Sequence, residues 1–260
     1  MASQLQNTIA NHPILTTAGV LSLTFIALAY QDYRSYVALG PHGLPDTFRG
    51  WYTQLKMSRR ARKDTAVPAP YDINDVAGPF DRKSYLPQDA AHALKWRPGN
   101  KAPRVPGFTA PQRQTSDQAS EEMKQAMYAH LDHIASLHIS TLKVQDSVLE
   151  GPVPALGIKD FASLPDAGKP KVFRATKGEM THIHPPDGST HLILSLADQK
   201  RVIETGWGLR HRLSGAGMLP WNYSFVYAPR NEGEFEVWKG IVGAAVEFCV
   251  ENLEEMRGKR

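Results

Sequence analysis

The chain has 260 residues, enough for one or two domains with a sizeable core, and its composition is ordinary for a globular protein, with 42% hydrophobic and 22% charged residues. A formal net charge of +4, with no basic patch interleaved with aromatics, gives no ground for a nucleic-acid partner. The single cysteine, Cys249, excludes an internal disulfide and fits a reducing compartment.

No Lys, Arg, Asp or Glu precedes Asp32. Within that stretch Pro13 to Tyr30 is eighteen residues without charge, long enough to be a candidate transmembrane helix although three threonines and a serine temper it. A secretory signal would want a positive segment before the apolar run, and none is there. The competing reading is an amphipathic or core helix. Arg34, Arg49, Lys56 and a cluster ending at Lys63 all follow the span, so the positive-inside rule puts the rest of the chain in the cytoplasm. The KMSRRARK stretch, 56–63, could also sit on anionic headgroups. The expected organisation is a membrane anchor over 1–35, a basic juxtamembrane segment and extended linker over 36–115, and an α+β domain over 116–260.

Residues 64–115 are rich in proline and glycine (VPAPYD, RPGNKAPRVPG) and read as extended loop. From Ser116 to His138 apolar residues recur every three or four positions, which predicts a helix with Asp117, Glu121 and Glu122 at its positive end. His130 and His133 flank its apolar stripe and are read as helix-surface or satisfied residues and not as ligands. A strand is predicted over 140–149, a loop over GPVPALGI (151–158) and another strand over Val172–Thr176.

The densest chemistry lies between Arg174 and Glu232, which holds four of the ten histidines. Met180 to His184 reads as a strand, and its alternation turns His182 and His184 to one face. Pro185 to Ser189 is turn chemistry, and His191 to Ala197 reads as a buried strand. A hairpin here would bring His191 beside His182 and His184. Three imidazoles could hold iron, zinc or copper, or act without metal as bases near neutral pH. Glu179 could add a carboxylate. The bland alternative is that one or two of these histidines are satisfied core residues. Arg210 and His211 place a fixed cation beside a titratable ring, suited to an enolate or a carboxylated substrate. Asp198 to Thr205 is predicted as a short helix closed by Gly206, and Tyr223 to Tyr227 as a strand. Asn231 should cap a last helix whose buried stripe includes Phe235, Trp238, Ile241, Val242, Ala245 and Phe248. The fold class expected is α+β: a mostly antiparallel sheet packed by two long helices, preceded by one transmembrane helix.

Glu179, His182-x-His184, Thr190-His191-Leu192, Gly206-Trp-Gly-x-Arg-His211, Leu213-x-Gly215-x-Gly217 and Tyr227-Ala-Pro-Arg-Asn-Glu232 together resemble the fungal luciferase family. Asp32-Tyr33, Gly40-Pro41 and Phe48-Arg49-Gly50 extend the resemblance to the N-terminal part. The resemblance implies a small membrane-anchored oxygenase, at the endoplasmic reticulum, that oxidises an aromatic hydroxypyrone of the 3-hydroxyhispidin type with dioxygen and without flavin or nicotinamide. The lack of a dinucleotide fingerprint or P-loop in the sequence agrees. On this reading His182 or His184 is the base, His191 assists it, and Arg210 and His211 stabilise the oxyanion. Glu179, Trp207, Tyr227 and Arg230 would contact the substrate. No cofactor or metal ligand is assigned, with dioxygen as co-substrate, although His182, His184 and His191 could bind a metal. The alternatives are a metal-dependent oxygenase or hydrolase built on the histidines, and a membrane-tethered binding homologue without chemistry.

Overall fold

The computed structural model describes residues 11–40, 43–67, 78–89, 93–99 and 101–258. The first residues of the anchor (1–10), Pro41 and parts of the 64–115 stretch (68–77, 90–92 and 100) lie outside them.

The first helix, α1 (Pro13–Val37), is long and apolar enough to cross a membrane. At 1.5 Å per residue it is about 37 Å long, against roughly 30 Å of bilayer hydrocarbon. None of its most apolar window is buried, and Ile14, Leu23 and Phe25 project into the surroundings. Its C-terminal end is packed. Tyr36 is fully buried in a small core with Leu39, Trp51 and Phe108, and the Trp51 indole donates to Asp32 at 2.7 Å. Trp51 belongs to α2 (Phe48–Ser58), whose first turn is capped by Thr47. The expected juxtamembrane linker therefore contains a helix docked on the anchor.

The described part of 64–115 carries no helix or strand, as expected, but it is used to cover the domain. Residues 62–65 run beside a sheet edge: the Arg62 amide donates to the Arg212 carbonyl, and the Arg210 amide to the Thr65 carbonyl. The Arg62 side chain stacks on Trp221 and donates to the Gly215 carbonyl, so it turns into the domain.

The main domain holds α3 (Glu121–Leu137), β1 (Leu142–Ser147), β2 (Gly151–Ile158), a single-turn α4 (Lys171–Arg174), β3 (Glu179–Ile183), β4 (Thr190–Ile193), α5 (Leu196–Glu204), β5 (Gly208–Arg210), β6 (Tyr223–Val226) and α6 (Glu232–Gly258). The strands form one antiparallel sheet in the order β1-β2-β3-β4-β6-β5. The fold is α+β, with α3 and α6 packed on the sheet.

Three local expectations are corrected. GPVPALGI, read as a loop, is strand β2. Its prolines lack the amide that a central strand needs. They are tolerated because β3 pairs only with Ala155–Gly157, while Pro152 and Pro154 lie beyond it, next to the bulge between Asp146 and Ser147. Val172–Thr176, read as a strand, is instead the turn of α4, entered from Pro170 and left through Lys177 and Gly178, both at positive φ. A single turn is enough to bury Phe173 against Phe248 of α6. The predicted strand from His191 also ends early, at Ile193, because Ser195 caps α5 by accepting from the Asp198 amide.

Asn231 caps α6 by accepting from the Glu234 amide at 3.0 Å, and the predicted apolar stripe is buried. Glu234 is itself buried beneath two arginines. Arg230 Nε donates to it at 2.9 Å, and Arg97, only 4% exposed in its side chain, lies 3.4 Å away. Burial alone would raise the Glu234 carboxyl, but these cations outweigh it and hold it below the usual carboxylate range. A folded value below the unfolded one means that its stabilisation is complete above the unfolded pKa of about 4.3 and is lost as pH falls through the folded value. Glu234→Gln should cost about 3 kcal/mol in urea unfolding at pH 7, because Arg97 then stays buried without a carboxylate. The deficit should shrink in acid.

Candidate active site

The histidines are gathered by strand register. His182 of β3 lies directly opposite His191 of β4, and His191 opposite Phe225 of β6, so these three side chains share one face of the sheet. His184, two residues beyond His182, joins them, and the ring centroids of His184 and His191 are 4.6 Å apart. His211 follows β5 and packs on His191 at 4.7 Å and on Tyr223 at 5.1 Å. Thr190 points the other way, towards α6, where its hydroxyl accepts from the Trp238 indole.

The turn between β1 and β2 brings in Glu150, a residue that the sequence reading did not single out. Its carboxylate lies 3.8 Å from His182 Nε2 and 3.7 Å from His184 Nε2. Arg113, from the long covering segment, holds it by an ion pair of 2.7 Å. Glu150, His182, His184 and His191 offer ligand atoms that all lie within 4.8 Å of one another, so the cluster could hold a metal ion.

The far side of each ring is also held. His182 Nδ1 faces the Glu179 carboxylate at 2.5 Å, and Glu179 in turn accepts from the Ser147 hydroxyl and the Val148 amide. His184 Nδ1 faces Ser189 Oγ at 2.8 Å, and that hydroxyl donates to Asp187 at 2.6 Å. The turn Pro185–Ser189 thus supplies a carboxylate to the site. His191 Nδ1 faces the Ser224 carbonyl at 3.3 Å. The His182 and His184 Nε2 atoms are 3.2 Å apart, and His191 Nε2 is buried without a hydrogen-bond partner.

Burial pushes His184 and His191 well below the ordinary histidine value. It also opposes charge on His182, but Glu150 and Glu179 outweigh it and lift that ring to about 9. His211 falls to about 3, chiefly through burial. Its Nδ1 accepts from the Leu213 amide at 3.0 Å, which leaves the ring proton on Nε2.

A cavity of about 310 Å³ adjoins this face. Glu150, His191, His211 and Tyr223 line it from the domain, and Leu44 and Met57 from the N-terminal part. Gly43 is also on its wall, and a Cβ there would lie 2.2 Å from the Leu149 carbonyl oxygen.

Of the residues expected at the site, His182, His184, His191, His211 and Glu179 are together. The other four lie elsewhere. Arg210 turns towards Asp64, at 2.6 Å, and the Trp221 ring. Trp207 donates its indole proton to the Lys95 carbonyl, and Tyr227 packs on Phe225 and under Arg97. Arg230 pairs with Glu234 and the Pro98 carbonyl. Glu179 is 1% exposed and holds His182, so it positions a ring and does not touch the cavity.

Residues 177–245 match the family model described as luciferase domain. Along 92% of its length the chain is 28% identical to a luciferase from Neonothopanus nambi, covering 89% of that protein. It is also 28% identical to luciferases from Armillaria gallica and Armillaria mellea, over 90% of this chain and 85% and 87% of theirs. No solved structure matches. Residues 177–245 are thus similar to the luciferase domain, and the chain along most of its length to the fungal luciferases.

Proposed function

We propose that the protein oxidises an aromatic hydroxypyrone of the 3-hydroxyhispidin type with dioxygen, held to a membrane by α1 with the main domain in the cytoplasm, at the endoplasmic reticulum. The observation that carries this is a buried histidine face, within a luciferase domain, opening on a cavity of small-molecule size. Binding sites for such ligands run from roughly 300 to 1,000 Å³.

In this cavity the enol of the substrate meets Glu150 and His191, with His182 and His184 behind Glu150. The enol proton passes to the Glu150–histidine cluster. The resulting enolate is rich enough in electrons to reduce dioxygen: its carbon forms the new C–O bond, two electrons pass to dioxygen, and the returned proton completes a hydroperoxide. No external reductant is needed. His211, with its proton on Nε2, donates to the developing oxyanion. The role first given to Arg210 and His211 together falls to His211 alone, because Arg210 is engaged by Asp64. Tyr223 and Leu219 give the ring an apolar wall.

The test is 3-hydroxyhispidin added in air to the detergent-solubilised chain, with light and oxygen uptake followed together. Both signals are expected if the product leaves in an excited state, and uptake alone if it leaves in its ground state. Neither signal, from folded protein, would sink the hydroxypyrone reading.

A further inference from the structure

We propose that Glu150, His182, His184 and His191 bind one divalent first-row transition ion whose open side faces the cavity. The inference stands on geometry; only the use of the ion on a hydroxypyrone rests on the preceding reading.

The tautomers come first. His182 Nδ1 faces a carboxylate, so it carries a proton. His184 Nδ1 faces the oxygen of a hydroxyl whose own proton goes to Asp187, so it too must donate. His191 Nδ1 faces a carbonyl and donates as well. Each neutral ring therefore presents a bare lone pair at Nε2. Those lone pairs converge with the Glu150 carboxylate inside a 4.8 Å cluster. With the rings neutral, four such donors crowded together repel one another unless a proton or a cation lies among them. A His182–His184 hydrogen bond would serve two of the rings but leaves His191 Nε2 buried and unserved. An ion serves all of them.

The spacing agrees. Two nitrogens each about 2.1 Å from a shared ion are roughly 3.0 to 3.4 Å apart, between right-angled and tetrahedral geometry. The observed His182–His184 separation is 3.2 Å. The far-side partners, a carboxylate, a hydroxyl backed by a carboxylate, and a carbonyl, are those that orient metal-bound imidazoles. Charge agrees as well. Glu150, Glu179 and Asp187 against Arg113 leave the cluster two net negative charges with its rings neutral. Three imidazoles and one carboxylate suit iron, cobalt, zinc or copper, and not the all-oxygen cations magnesium and calcium. Glu150 and His191 line the cavity while His182 and His184 close the back, which leaves the approach on the cavity side.

The experiment uses the full chain in detergent, treated with chelator, dialysed, and titrated with Co(II). Saturation is expected at one ion per chain, with visible d–d absorption. Tm should rise by about 5–10 °C at a hundredfold excess over Kd. Glu150→Gln, on a turn that tolerates the change, should weaken binding. His191→Ala should abolish the absorption, and Glu179→Gln should weaken binding about 10- to 100-fold by freeing the His182 ring. Folded parent chain with neither absorption nor a Tm shift would overturn the proposal. So would a folded His191→Ala chain that binds Co(II) with the parental spectrum and affinity. Oxygen uptake with 3-hydroxyhispidin is measured separately on the loaded chain. A bound ion without uptake keeps this inference and sinks the substrate reading.

Discussion

Glu150→Gln is expected to fold like the parent chain and to consume dioxygen with 3-hydroxyhispidin about 10²- to 10⁴-fold more slowly, the range for loss of a positioned acid–base group. The substitution removes a charge and little shape. The amide oxygen can still accept from Arg113, and the side chain sits on a turn at 13% exposure, so packing is spared. What is lost is, among the described residues, the one carboxylate that both lines the cavity and approaches His182 and His184. If the group takes the enol proton, the fall should appear in kcat and kcat/KM alike, because the interaction is made at the transition state. A change confined to KM would instead mean that Glu150 only helps to seat the substrate. Parental rates from folded protein would remove it from the mechanism and leave the histidines to act alone.

That residue also marks where sequence reasoning ran out. The H-x-H pair, its strand and the hairpin to His191 were legible because a period of two and a proline–glycine turn act over neighbouring residues, and the register puts His182 opposite His191. Glu150 enters from a turn between two strands, and the second strand was hidden by Pro152 and Pro154. Nothing local ties it to residue 182. Arg113 comes from a stretch with no periodicity at all, and its ion pair exists only because that stretch wraps the domain. Asp187 was visible as a turn residue; that its carboxylate backs His184 through Ser189 needed the turn's coordinates. Arg210, Trp207, Tyr227 and Arg230 lie away from the histidine face. The family resemblance places them beside the histidines, but Arg210 pairs with Ser224, one position from the Phe225 that lies opposite His191, and so takes the other face of the sheet. Each meets other partners: Arg210 Asp64, Trp207 the Lys95 carbonyl, Tyr227 Arg97, and Arg230 Glu234.

The same alternation joins the site to the stability of the fold, and Trp238→Ala should show it. On β4 His191 turns to the cavity, while Thr190 turns to α6 and accepts from the Trp238 indole at 3.0 Å. Trp238 is 1% exposed, stacks on Phe235 and meets the edge of His130 from α3, so one side chain ties both long helices to the strand that carries His191. Truncation to alanine should cost about 4 kcal/mol, as for other buried aromatics, and lower Tm by about 8–16 °C for a domain of this size. Trp238→Phe keeps most of the volume and leaves only the Thr190 bond unmade, which predicts a loss of about 1 kcal/mol. The two variants separate packing from hydrogen bonding when unfolding is followed in urea by circular dichroism. A loss below about 1 kcal/mol for the alanine variant would mean that α6 is not seated on the sheet as described, since a well-packed buried indole cannot be removed that cheaply.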